Sequence, residues 1–240
     1  MSLRGFPAIV VLAASALTVG VTAPAAEAAR SPAVKPAQRV ATLLSSHKVV
    51  WDLGERGARG IRIGASRNIT GVQTTLPVTG RATSKDGIRW LRVMVPGRPN
   101  GRRGWIVRRR TVLSTTRWHL VVRTSSRRVL VYRRGRLVRT FSAIVGTSST
   151  PTPHGRFFVE ESVRMLSGAA GGPYALALSA RSNVLQEFAG GPGQIAIHGV
   201  ANLGGTPGTA ASHGCVRLAN WQISWLVARV GPGVPVTIRR

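Results

Sequence analysis

The sequence predicts a mainly β chain carrying no more than one or two short helices, and three features predict it. Apolar residues come in short runs with alternation, as in Trp118-His119-Leu120-Val121-Val122-Arg123. The chain holds 28 glycines and 14 prolines, so turn signals interrupt it too often for a bundle of long helices. Only Trp221 to Val230 has helical spacing, with apolar residues at Trp221, Trp225, Leu226 and Val230. With 240 residues, 43% of them hydrophobic, the chain can bury one good core and a second small one.

In chain order, residues 1–28 read as a secretory signal peptide: Arg4 precedes the apolar run Ala8 to Val21, and Ala26-Glu27-Ala28 offers a small-x-small cleavage site. The run is short for a spanning helix, which needs about 20 residues. The expectation is export to the periplasm, cell wall or exterior, with no transmembrane segment after cleavage. Residues 29–59, with Ser31-Pro32, Lys35-Pro36, His47 and the stretch Gly54 to Gly60, read as a linker. Residues 60–115 read as a small β module: Leu76 to Val78, Trp90 to Val95 after Lys85-Asp86-Gly87, and Trp105 to Val107 after Pro99-Asn100-Gly101.

Residues 117–240 form the larger β domain. A strand at Trp118 is followed by a hairpin, Val129 to Tyr132 and Leu137 to Val145, around Arg134-Gly135. The turn-rich loop Gly146 to Pro153 leads into strands at Phe157 to Val159, Tyr174 to Ser179 and Gln194 to His198. A short helical turn is expected at Val184 to Phe188, and Val234 to Ile238 closes the chain as a strand.

The formal net charge of +27 directs such a chain to anionic surfaces. Arginine dominates, 31 against 3 lysines, which in part reflects compositional habit. The arginines are spread along strands instead of gathering on one recognition helix, and an exported protein rarely meets nucleic acid, so anionic cell-wall polymers are the favoured partners. Seven acidic residues, none after Glu187, restrict the chemistry. Paired-carboxylate hydrolysis needs two acids facing one bond, and the adjacent Glu160 and Glu161 point to opposite faces of a regular strand. His198, His213 and Cys215 nominally supply three zinc ligands, but no carboxylate stands near to act as base or supporting partner. No cofactor and no metal is called for.

The remaining chemistry is nucleophilic. Cys215 is the sole cysteine, so no intrachain disulfide occupies it. It lies in Ser212-His213-Gly214-Cys215-Val216-Arg217-Leu218, shortly before the amphipathic helix, where helix amides and a nearby imidazolium would favour thiolate. Gly214 removes bulk where a carbonyl must approach, and the N–H groups of His213, Gly214 and Cys215 are candidate oxyanion donors. His198 ends the apolar strand beginning at Gln194 and is followed by Gly199, a position suited to a general base. With no acid at hand, a backbone carbonyl, that of Gly199, is the expected partner that orients its ring. A buried structural cysteine and a turn-bracing His213 are the plain alternatives.

Ile197-His198-Gly199 followed by Ser212-His213-Gly214-Cys215-Val216-Arg217 resembles the motif of the L,D-transpeptidase catalytic domain, the YkuD-like family. Tyr132 to Thr140, Gly146 to Phe157 with Thr150-Pro151-Thr152-Pro153, and Pro235 to Ile238 extend the resemblance; Val200 and His154-Gly155 depart from the usual pattern. The segment Val78 to Arg81, Asp86 to Val93 and Gly104 to Ile106 resembles bacterial SH3-like wall modules. The resemblance implies a YkuD-like β-sandwich or barrel after a small SH3-like barrel, acting on peptidoglycan stem peptides. It implies Cys215 as nucleophile, His198 as base and then acid, and His213 and Gly214 at the oxyanion site. Ser212 would hold the turn, with Arg217 binding a substrate carboxylate and Gly199 beside the base. L,D-carboxypeptidase or endopeptidase hydrolysis on the same site, or a non-catalytic basic wall-binding protein, are the alternatives.

Overall fold

In the computed structural model the described residues are Met1, 34–53, 59–187 and 191–240; the expected signal segment lies outside them. The first seven strands are β1 (Gln38–Leu43), β2 (His47–Val50), β3 (Gly60–Ile63), β4 (Thr75–Thr83), β5 (Arg89–Met94), β6 (Arg103–Val107) and β7 (Thr111–Thr116). They form one antiparallel sheet in the order β3-β2-β6-β5-β4-β1-β7. Its core gathers Ala41, Leu43, Val49, Ile63, Leu76, Leu91, Val93 and Ile106.

The stretch expected as a linker therefore supplies two strands, and that expectation is corrected. Ala41 and Leu43 face the core from β1 and Val40 is buried on the other face while Arg39 stays exposed, and on β2 Val49 and Val50 are buried beside the exposed Lys48. His47 is buried too, its ring nitrogens 2.7 Å from Ser45 O and 3.0 Å from Arg109 O. The short apolar alternation was masked by the flanking prolines and glycines.

The remaining strands are β8 (Trp118–Arg123), β9 (Arg128–Arg133), β10 (Arg136–Ser142), β11 (Val145–Gly146), β12 (Gly155–Arg164), β13 (Tyr174–Arg181), β14 (Gln194–His198), β15 (Ala210–Ser212), β16 (Val216–Arg217) and β17 (Pro235–Arg239). Eight of them run β10-β9-β8-β17-β12-β13-β14-β16, with β11 and β15 as a separate parallel pair. The hairpin turn at Arg134-Gly135 takes φ of 52° and 77°, the left-handed pair that a two-residue hairpin loop requires. The one helix among the described residues, α1 (Asn220–Val227), buries Ile223 and Leu226, and the Gln222 side chain accepts from the Ala219 N–H at 3.1 Å. Trp225 packs half-buried against the core, whereas Trp221 is exposed and touches the Phe141 ring edge-on, with ring centroids 5.7 Å apart. No helical turn forms at 184–187; the expected segment ends at Phe188, outside the described residues.

β12 is longer than the expected Phe157 to Val159 and serves as the seam. Its first half pairs with β17 and its second with β13, with a register shift between Val159 and Glu161. Phe157 joins the core of the larger sheet and Phe158 that of the first sheet, as neighbours on a strand covered on both faces must. Glu160 and Glu161 are consequently both buried. Arg67 from the connection between β3 and β4 and Arg181 from β13 pair with Glu160, which also accepts from Gln194 Nε2 at 3.1 Å. Glu161 accepts from the Thr70 N–H and hydroxyl at 3.0 and 2.8 Å. Removing one member of a buried ion cluster strands the others without compensation. Glu160→Ala is therefore expected to destabilise the protein by about 3 kcal/mol, read as a lower urea midpoint at unchanged slope.

Candidate active site

β14 places the site. It lies antiparallel to β13 on one side and parallel to β16 on the other, with His198 directly opposite Arg217. Cys215 immediately precedes β16, so the thiol and the imidazole approach from neighbouring strands. Both line one cleft of about 310 Å³ together with His213, Arg217, Gln194 and Leu185. Gly214 and Ser212 lie buried behind it, and Gly199 follows His198 at the strand end.

The turn holding the thiol is tied by its own side chains. The Ser212 hydroxyl donates to Cys215 O at 2.5 Å and accepts from the Gly214 N–H at 3.2 Å. Thr152 Oγ1 donates to Gly214 O at 2.8 Å and accepts from the Gly146 N–H at 2.9 Å, while Thr150 Oγ1 reaches Ser212 O at 3.2 Å. Gly214 has φ of 112°, a conformation open to glycine but strained for other residues. The expected oxyanion trio needs correction at one member, since the Gly214 N–H is already taken by Ser212.

The Cys215 Sγ accepts from the Ala196 N–H at 3.4 Å and lies 4.0 Å from Gln194 O. Burial pushes the thiol pKa up, against the opposing pull of the Ala196 N–H and Arg217. The expected thiolate-favouring helix is displaced in sequence: α1 begins at Asn220, beyond β16, so the residues next to Cys215 are strand and not a helix N-terminus. Burial thus works against the thiolate expected from the sequence.

His198 Nδ1 stands 2.8 Å from Gly199 O, the backbone partner anticipated for it. A carbonyl oxygen only accepts, so Nδ1 carries the proton and Nε2 keeps its lone pair. Burial pushes the imidazole pKa below 6.5; the Gly199 carbonyl opposes this and Arg217 adds to it. Both shifts favour the neutral forms, thiol and imidazole.

Arg217 Nη1 donates to Gly204 O at 2.8 Å, while its Nε is buried with no partner. The guanidinium is thus fixed to the 202–209 loop through Nη1 while Arg217 also lines the cleft. His213 is exposed at the cleft rim. His154 bonds Thr124 Oγ1 at 2.8 Å instead of lining the cleft. His119 bonds Thr237 Oγ1, and burial with Arg156 nearby lowers its pKa to about 4.

Sequence reasoning missed the packing around the base. Gly171, at φ of 85°, accepts from the Gly199 N–H at 2.9 Å and leaves room for the ring: a Cβ there would sit 2.7 Å from His198 Nδ1. Asn220 Oδ1 accepts from the Val200 N–H at 2.9 Å, fixing the chain beyond Gly199. The only available signal was the run Gly171-Gly172-Pro173, which reads as an ordinary loop. Gly171→Ala is expected to displace the ring and lower kcat by about 10- to 100-fold with the fold retained, as steady-state kinetics beside circular dichroism will show.

Cys215, just ahead of β16, and the backbone-oriented His198 at the end of β14 thus meet in one cleft of a mainly β fold. Residues 117–238 match the family described as YkuD, L,D-transpeptidase catalytic domain. The chain belongs to that family. A Bacillus licheniformis protein named as an L,D-transpeptidase, YkuD, is 31% identical over 124 residues, covering 52% of this chain and 67% of its own length. Its Bacillus subtilis counterpart is 29% identical over 126 residues, covering 52% and 68%. Among solved structures, an L,D-transpeptidase from Mycobacterium tuberculosis H37Rv aligns with a TM-score of 0.44 at 16% identity, covering 70% of this chain and 90% of that one. One from Mycobacterium smegmatis gives 0.39 at 17%, covering 68% and 100%.

Proposed function

We propose that this protein is an exported peptidoglycan L,D-transpeptidase working through a Cys215 thioester, with residues 1–28 as its signal peptide. The observation that carries the reading is that Cys215 and His198 line one cleft, with His198 Nδ1 on Gly199 O so that the Nε2 lone pair is left to act as base. His198 Nε2 takes the thiol proton as Sγ bonds to the carbonyl carbon of the third stem residue. The Cys215 N–H, beside the rim histidine His213, receives the developing oxyanion. Collapse breaks the C–N bond, and His198 returns the proton to the leaving D-amino acid. An acceptor amine then attacks the thioester, loses its proton to His198 and releases Cys215 as thiol. Arg217 holds a substrate carboxylate with the edge not engaged by Gly204, and Ser212, Gly214 and Gly199 keep the two reacting groups in place. The high positive charge supports retention on anionic wall polymers.

Incubation with tetrapeptide-stem muropeptides followed by mass spectrometry of the products tests the reaction type. Cross-linked dimers with loss of one D-amino acid are expected. Shortened stems without dimers would replace transpeptidation by hydrolysis on the same site, and unchanged stems would contradict both.

A further inference from the structure

Four of the cleft residues, Ser182, Leu185, Gly193 and Gln194, belong to the connection between β13 and β14 or to its end. That wall is held from outside the family-matched region, by the loop joining β5 to β6 in the N-terminal sheet. Arg98 Nη1 donates to Pro192 O at 2.9 Å, and Nη2 to Ser182 O and Leu185 O at 2.8 and 3.0 Å. Asn100 clasps the other end: its Oδ1 accepts from the Arg181 N–H at 2.8 Å, and its Nδ2 donates to Arg181 O at 2.7 Å and to Asn183 Oδ1 at 3.1 Å. The Gly97 N–H adds a contact to Ser179 O at 3.3 Å.

The wall is shaped to receive this arm. Gly193 has φ of 61°, and a Cβ there would overlap Leu185 O and stand 3.2 Å from Arg98 Nη2. Ser182 closes the inner side, its N–H donating to Gly193 O at 2.8 Å and its hydroxyl accepting from the Leu185 N–H at 2.9 Å. Three carbonyls converging on one guanidinium fork leave the connection little freedom, since a planar multi-donor group fixes direction as well as distance.

We propose that Arg98 and Asn100 are positioning residues for the acyl-donor subsite: the N-terminal sheet supplies a brace that sets the cleft wall and so the fit of the stem peptide. This rests on the transpeptidase reading for its substrate. The brace touches neither Cys215 nor His198, so its loss weakens donor binding and leaves the chemistry intact.

The test uses the full chain as wild type, Arg98→Ala/Asn100→Ala and Arg98→Lys, with kinetics on the tetrapeptide donor and hydrogen exchange across 181–187 and 191–193. The double variant should raise KM about tenfold, equivalent to 1.4 kcal/mol, with kcat within about twofold and iodoacetamide labelling of Cys215 unchanged. Arg98→Lys, a point charge without the fork, should fall between. Amide exchange in both segments should rise about tenfold. Unaltered KM and exchange would overturn the brace, as would kcat and Tm falling together at constant KM. Wild type that turns over no stem peptide would sink the transpeptidase reading instead, and exchange alone would then decide whether the arm orders the wall.

Discussion

Cys215→Ala is expected to reduce transfer by about 10⁴-fold or more, leaving a folded protein. Every acid of the chain lies at or before Glu187, none among the described residues lines the cleft, and Glu160 is consumed by Arg67, Arg181 and Gln194. No described carboxylate therefore lines the cleft to replace the thiol by activating water. The substitution should also be mild for stability, because Sγ makes only the Ala196 N–H contact and the weak approach to Gln194 O. The turn around it is held by Ser212 and Thr152, which stay in place. Parallel measurement of kcat/KM and thermal midpoint checks both halves of this expectation.

His198→Gln is expected to cost about 10²- to 10⁴-fold in kcat/KM and to change the shape of the pH profile. Only the neutral imidazole can accept the thiol proton. Burial lowers its pKa from 6.5, so the wild-type rate should fall as pH drops through a value below 6.5 and stay level above it. The variant lacks that base and depends on spontaneous ionisation of a thiol whose pKa burial has raised, so its residual rate should climb into the alkaline range. The same acid limb surviving in the variant, or a wild-type thiol that alkylates fully at neutral pH, would contradict a neutral resting pair.

The catalytic end of the molecule was legible because its constraints are local. The hairpin follows from Arg134-Gly135 between alternating strands, and the orientation of His198 follows from the glycine after it and the lack of acids nearby. What stayed hidden depends on partners distant in sequence. β1 and β2 are too short to declare themselves until β4, β6 and β7 lie beside them. Glu160 and Glu161 read as two faces of one strand, yet a bulge and a second sheet bury both. The proximity of Cys215 to a helix in sequence suggested a depressed pKa, but β16 intervenes, and desolvation dominates. Gly171 reads as a loop glycine until the His198 ring occupies the space where its Cβ would be.

Intact-mass analysis of the protein quenched in acid during turnover of a tetrapeptide-stem donor tests the central claim most directly. The account predicts an adduct of the acyl tripeptide stem, localised to Cys215, cleaved by hydroxylamine and absent from Cys215→Ala. Donor consumed at the wild-type rate with no adduct on Cys215, or consumed equally by the variant, would contradict it.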